Sequence, residues 1–302
     1  MDFRLKVIKI MENKLQVENF TFEWGTRTYI MGILNVTPDS FSGDGLVRDE
    51  DIVEVAVEQA RGFVEAGADI LDVGGESTRP GAETVLDEEE LERVIPVVRR
   101  LAEEFDVLIS IDTYKARVAE AALGAGADMV NDVWGLMADP DLAGVVARHG
   151  VPVILMHNRS TPNNAEVREQ LGGRYVGVKY DDLLLDIKRE LMESVELAHQ
   201  AGIPEERIIL DPGIGFGKTV EQNLELLDRL GEVRAFGYPI LLGPSRKSFI
   251  GYTLDLPMDE RLEGTAATIS VGIARGADIV RVHDVKEMTR VARMTDAVVR
   301  RG

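Results

Sequence analysis

Apolar and polar positions along this chain follow two periods that take turns. Short apolar runs, each ending in a polar residue, lie near 30–34, 69–73, 108–111, 128–131, 152–156, 207–210, 239–242 and 279–282. Between them the apolar residues recur at helical spacing. Leu91, Val94, Ile95, Val98, Leu101, Ala102 and Phe105 make one stripe, with Pro96 expected to kink or split it. Leu184, Ile187, Leu191 and Val195 make another, backed by acidic residues. Strands alternating with helices predict βαβ units and a parallel sheet. Eight strands is the number that closes a (β/α)8, or TIM, barrel.

A repeated junction supports this reading. Ala66-Gly67-Ala68-Asp69-Ile70, Ala125-Gly126-Ala127-Asp128-Met129 and Arg275-Gly276-Ala277-Asp278-Ile279 each place a glycine where a helix ends in the left-handed conformation, just before a strand. The expected architecture is an α/β chain with one barrel over 29–302. A short extension over 1–28 precedes it. Within that extension, 16–22 and 27–29 are expected to pair as a β-hairpin around Trp24-Gly25-Thr26 and to plug the barrel bottom. The polar stretch 158–179 reads as a long loop after strand five. No linker divides the chain.

Composition narrows the function. The chain has 302 residues, 45% hydrophobic and 29% charged, with 34 Lys plus Arg against 53 Asp plus Glu and a net charge of −19. So acidic a balance argues against non-specific binding to nucleic acid or an anionic membrane, which needs basic patches. An anionic substrate must then be held by a few local cations or a metal. The absence of cysteine excludes disulfides and thiolate chemistry. Four histidines, at 149, 157, 199 and 283, without an HExxH pattern exclude a zinc protease site. The first residues carry charges rather than an apolar run, and no stretch approaches the roughly 20 apolar residues of a membrane span. A cytoplasmic location is expected.

In such a barrel the site lies at the C-terminal strand ends. Those ends carry Asn35, Asp72, Asp112, Asn131-Asp132, His157, Asp211, a Ser245-Arg246-Lys247-Ser248 loop, and Arg281 with His283. Any one of them has a structural explanation: Asp112 as the cap of helix three, Asn131 as a strand-end group, Met156 as core, His157 as a structural hydrogen-bonder, Arg246 as a carboxylate's partner. Eight polar ends converging on one rim point to a binding site instead. Carboxylates and an amide suit a flat heterocycle bearing N–H donors. Arg281, His283, Arg246 and Lys247 suit an anionic group. Gly215-Phe216-Gly217-Lys218-Thr219 resembles a Walker A loop, but Pro212 stands where its first glycine belongs, so a nucleoside triphosphate is not expected.

These loops resemble those of the dihydropteroate synthases over nearly the whole chain. The resemblance rests on Gly32-Ile33-Leu34-Asn35-Val36-Thr37-Pro38-Asp39-Ser40-Phe41-Ser42 and Gly74-Gly75-Glu76-Ser77-Thr78-Arg79-Pro80-Gly81. Asp211-Pro212-Gly213-Ile214-Gly215-Phe216-Gly217-Lys218 and Ser245-Arg246-Lys247-Ser248-Phe249-Ile250-Gly251 add to it. The resemblance implies joining of a pterin diphosphate to 4-aminobenzoate with loss of pyrophosphate, by an SN1-like path. It implies that Asp112, Asn131, Asp211 and Lys247 hold the pterin, with Met156 and Arg281 on its faces. Asn35, Arg281 and His283 would take the diphosphate, Asn35 through Mg²⁺. The 4-aminobenzoate would lie among Thr78, Arg79, Pro80, Phe216 and Lys247, its carboxylate at Ser248. Asp39 and Arg79 would close the site, and with Lys247 and Asp211 would form the catalytic set. A homodimer through the last helices is also implied.

Three rival functions remain at this stage. A methyltetrahydrofolate:corrinoid methyltransferase shares the pterin-binding barrel, but the loops at 37–41 and 245–247 argue against it. A glycosidase with two barrel carboxylates fits a cationic, aromatic-poor rim badly. A pterin-binding paralogue without synthesis would lack reason to keep the full set of substrate residues.

Overall fold

The computed structural model describes residues 14–37, 49–77, 84–161, 164–168, 170–176 and 178–300. After a hairpin of β1 (Lys14–Val17) and β2 (Phe20–Glu23) come β3 (Tyr29–Asn35), α1 (Asp49–Glu65), β4 (Ile70–Gly74), α2 (Asp87–Glu104), β5 (Leu108–Asp112) and α3 (Ala116–Gly124). Then follow β6 (Met129–Asp132), α4 (Leu142–His149), β7 (Val153–Met156), a second hairpin of β8 (Ala165–Arg168) and β9 (Gly172–Tyr175), α5 (Leu183–Gln200) and β10 (Ile208–Asp211). The chain ends with α6 (Val220–Asp228), α7 (Leu230–Arg234), β11 (Leu241–Leu242), α8 (Ser248–Leu254), α9 (Leu262–Ala274), β12 (Ile279–Val282) and α10 (Val285–Val299).

Eight strands pair in the order β10-β7-β6-β5-β4-β3-β12-β11, all parallel. A bridge between Leu210 and Ile240, with the Leu210 amide donating to Pro239, closes β10 on β11 and makes the ring a barrel. Pro96 does not split α2, which runs unbroken from Asp87 to Glu104.

The repeated junctions explain part of the closure. Gly67, Gly126 and Gly276 all have positive φ (94°, 114° and 103°), which ends each helix where glycine alone is unstrained. The aspartate two residues later then caps the neighbouring strand. Asp69 accepts from the Ile30 amide at 2.8 Å, Asp128 from Ile109 at 2.7 Å and Asp278 from Ile240 at 3.0 Å. One motif, used three times, ties adjacent strands at the barrel's lower end.

Inside the barrel, Met31, Ile70, Leu108, Met129, Ile154, Ile209, Leu241 and Ile279 form an apolar layer. Leu15, Val17, Phe22, Trp24 and Tyr29 pack beneath it in the same cluster. Their rings stack, Phe22 on Trp24 at 4.7 Å, with Tyr29 edge-on to Phe22 at 4.8 Å. The hairpin therefore does plug the bottom, but its turn is at Glu18-Asn19, not at Trp24-Gly25-Thr26. The stretch 158–179 also departs from the expected loop, since β8 and β9 pair antiparallel within it.

Candidate active site

Strand side chains alternate with period two, so the interior positions two residues above the apolar layer are determined by register. They are Ile33, Asp72, Ser110, Asn131, Met156, Asp211, Gly243 and Arg281. Directly above, Asn35 pairs with Gly74, Gly74 with Asp112, and Asp112 with Asn131, while Asp211 pairs with Met156. An apolar floor thus carries a polar second storey, and the sequence pattern alone puts the charges there.

The storey is organised around Arg281. Its Nε donates to Asp72 Oδ2 at 2.5 Å and its Nη2 to Asp112 Oδ2 at 2.6 Å. Asn131 Nδ2 donates to the same Asp72 oxygen at 3.1 Å. Asp72 Oδ1 and Ser110 Oγ are buried without a protein partner, so the storey keeps unspent polar capacity. Burial pushes the Asp112 carboxyl up to about 7, against the opposing pull of Arg281.

Lys247 faces this cluster from the loop after β11. Its Nζ donates to the Ile214 carbonyl and lies 4.5 Å from the Phe216 ring centre. Burial lowers its pKa to about 8, although Asp211 favours its charged form. Burial likewise raises Asp211, which Lys247 and the Gly213 amide counteract. Glycines make room: a Cβ on Gly215 would lie 2.7 Å from Lys247 Cδ.

The loop from Asp211 to Thr219 is held from below. Asp211 Oδ1 accepts from the Gly213 amide at 2.7 Å, and Thr219 opens α6 in a reciprocal cap with Gln222. Lys218, 1% exposed, donates to the Gly213 and Phe216 carbonyls at 2.9 and 3.0 Å and meets His157 Nδ1 at 2.9 Å. The far His157 nitrogen meets Glu190 at 2.9 Å. A carboxylate only accepts, so the Nε2 facing Glu190 carries the proton and Nδ1 is the acceptor toward Lys218. His157 is a structural hydrogen-bonder, as expected, and Lys218 is spent on the loop rather than on phosphate. Arg246 is bound to Asp284 at 2.9 Å, also as expected.

Helix α3 has its first amide bonded to Asp139 at 2.8 Å, so Asp112 is not needed as its cap and is left for the site. His283, just past β12, meets Ser245 Oγ through Nδ1 at 3.1 Å. Met156 is buried beneath the rim, Asn35 ends β3 half-buried, and Ser248 begins α8. Asp39, Thr78, Arg79 and Pro80 lie outside the described residues. Asp72 is the central residue that strand-end reasoning left without a role. The signal for it was a charge two positions above Ile70 within an apolar run.

Comparison with known proteins is consistent with this rim. The family described as pterin binding enzyme matches residues 31–283. A dihydropteroate synthase of Clostridium beijerinckii is 52% identical, covering 95% of this chain and 100% of that protein. A dihydropteroate synthase of Clostridium difficile, solved in the presence of pteroic acid, superposes with a TM-score of 0.84 at 51% identity, covering 93% of this chain and 100% of the other. That of Xanthomonas albilineans, solved with 4-aminobenzoic acid, gives a TM-score of 0.84 at 40% identity, covering 95% and 98%.

Proposed function

From the premise that this chain belongs to the pterin-binding enzyme family and catalyses dihydropteroate synthesis in the making of folate, we propose a division of labour at its barrel mouth. The substrates are the pterin diphosphate and 4-aminobenzoate; a relative solved with 4-aminobenzoic acid and another solved in the presence of pteroic acid, in which a pterin is joined to that amine, support this reading. Asp112, Asn131 and Asp211 take the N–H and carbonyl edge of the pterin, with Lys247 at its far side and Met156 and Arg281 against its faces. The observation that carries this is the Arg281–Asp72–Asn131 cluster on the buried storey that also holds Asp211, with Asp112 bound to Arg281 just above it and Lys247 facing it.

The diphosphate is assigned to Asn35, Arg281 and His283. Among the described residues no group of three or more acidic or imidazole side chains is placed to hold a metal. The Asn35 amide oxygen is a hard donor that would hold Mg²⁺ together with the substrate. There the ion would neutralise charge on the departing pyrophosphate. Arg281 adds fixed positive charge, and both it and His283 offer donors, to the same group. As pyrophosphate leaves, the pterin ring carries the positive charge of the methylene carbon. The aromatic amine, neutral at pH 7, then forms the C–N bond and the resulting acidic anilinium releases its proton to water, so no strong base is required. Phe216 and Lys247, with Thr78, Arg79 and Pro80, orient that amine, and Ser248 receives its carboxylate. The family resemblance adds Asp39 and Arg79, both outside the described residues, to the catalytic set.

One further assignment belongs here. Val271 on α9 and Met294, Val298 and Val299 on α10 are exposed apolar residues on two helices that pack together. They support a homodimer through this face, which sedimentation at micromolar concentration tests. No described helix is long and apolar enough to cross a membrane. The activity is tested by incubating the protein with pterin diphosphate, Mg²⁺ and 4-aminobenzoate and following dihydropteroate and pyrophosphate together. Pyrophosphate without dihydropteroate, or neither, overturns the reading.

A further inference from the structure

We propose that Arg174, on the β8–β9 hairpin, is a further recognition residue for the carboxylate of the arylamine substrate. The inference rests on the reading above that this carboxylate lies at Ser248.

Arg174 and Ser248 line one cleft, together with Gly215, Phe249, Lys218 and Asn223. The cleft is small, with room for about one water-sized group, so it admits a carboxylate oxygen and not an aromatic ring. It therefore fits the tail of the arylamine while the ring stays beside Phe216 and Lys247. Lys218 is already committed to His157 and two carbonyls, and Asn223 to the Gly215 amide and two carbonyls. Arg174 is not. Its Nε and Nη2 share the single oxygen Glu166 Oε2, at 3.3 and 3.0 Å, and its Nη1 has no acceptor among the described residues. A guanidinium has five donors in a fork that matches a carboxylate. In a chain of charge −19, a cation with unspent donors beside the assigned carboxylate position is a specific provision.

The hairpin is also held in place for this task. Tyr252 of α8 donates to the Gly172 carbonyl at 3.2 Å, and the Arg174 guanidinium lies over the Tyr252 ring at 4.8 Å. Arg261, 3% exposed, donates to Leu171 at the hairpin turn and to Arg246 in the loop that presents Lys247 and Ser248, both at 3.0 Å. One buried side chain thus fixes the hairpin to the loop that it serves. The Glu166 contact sets the strength of recognition, because its carboxylate competes for the same fork.

The test compares two amines, 4-aminobenzoate and its uncharged amide 4-aminobenzamide, with wild type, Arg174→Met, Arg174→Lys and Glu166→Gln. Arg174→Met keeps the apolar stem and removes the guanidinium, with its place over Tyr252. It is expected to raise the KM for 4-aminobenzoate about tenfold, leaving the KM for pterin diphosphate and the kinetics with the amide within twofold. Arg174→Lys recovers part of the loss, and Glu166→Gln lowers the KM for 4-aminobenzoate. An unchanged KM in Arg174→Met overturns the inference. So do equal losses with both amines, which would show a merely structural hairpin. Failure of the wild type to form dihydropteroate would instead sink the functional reading beneath it.

Discussion

Arg281 and Asp72 form an ion pair of 2.5 Å in which the aspartate side chain is wholly buried and the arginine reaches on to Asp112. A buried carboxylate is tolerable only because that guanidinium and the Asn131 amide meet it. Asp72 thereby aims Arg281 at the space above the storey without itself needing to touch substrate.

Asp72→Asn keeps the shape and removes the charge. Arg281 retains Asp112, so the expected stability cost is about 1–3 kcal/mol, below that of stranding a buried charge outright. The kcat/KM for pterin diphosphate is expected to fall at least roughly tenfold as Arg281 loses its aim. Steady-state kinetics beside a urea melt check this; full activity at lowered stability would make Asp72 a purely structural residue.

The two shifted groups predict the pH profile. Asp112, raised to about 7, is protonated and loses its acceptor charge below that pH, and Lys247, lowered to about 8, loses its proton above it. The kcat/KM for pterin diphosphate is therefore expected to be a narrow bell between these values, because that ratio reports the free enzyme. Lys247→Arg keeps a cation at all accessible pH, so its alkaline limb should vanish even as its activity drops. A profile flat from pH 6 to 9 in the wild type would contradict both shifts.

Lys218→Met leaves two carbonyls and His157 Nδ1 without their donor. Each buried orphan costs about 1–3 kcal/mol, so a clear drop in the denaturant midpoint is expected. His157 gives a second signature. Burial first, then Lys218, lowers its pKa to about 4. Between its ordinary 6.5 and 4 the unfolded chain binds the extra proton, so stability falls as pH falls through that window. His157→Gln should flatten that slope in thermal melts; an unaltered slope would place the acid sensitivity elsewhere.

Gly213 has φ +72°, and a Cβ there would lie 1.8 Å from the His157 carbonyl oxygen. Gly213→Ala is expected to cost more than roughly 3 kcal/mol, through strain and collision together. Soluble yield and a urea midpoint measure this, and wild-type values would mean that the loop has another conformation open to it.

The barrel was legible because its strands are buried on both faces and its αβ junctions repeat an Ala-Gly-Ala-Asp phrase. Register then converts strand sequence into inward-facing chemistry, which is how Asp112, Asn131, Asp211 and Arg281 are read from strand ends. Asp72 escaped because a lone aspartate inside an apolar run looks the same whether it caps, pairs or binds. Its partner Arg281 is 209 residues away. The first hairpin was misplaced because Gly25 is the obvious turn residue, whereas the turn uses Glu18 at φ 49°, a conformation rare for a side-chain-bearing residue. The second was missed because what holds β8 and β9 comes from Tyr252 and Arg261, tertiary contacts without a local trace.

Around the ring, β10 and β11 meet through little more than the Leu210–Ile240 bridge, since β11 spans two residues and Pro239 has no amide proton to give. Asp211 follows one edge of this seam and Lys247 the other. Whatever opens the joint parts the acid from the ammonium, so amide exchange at Leu210, whose N–H crosses the seam to Pro239, should slow most when a flat ligand spans the two and acts as a rivet.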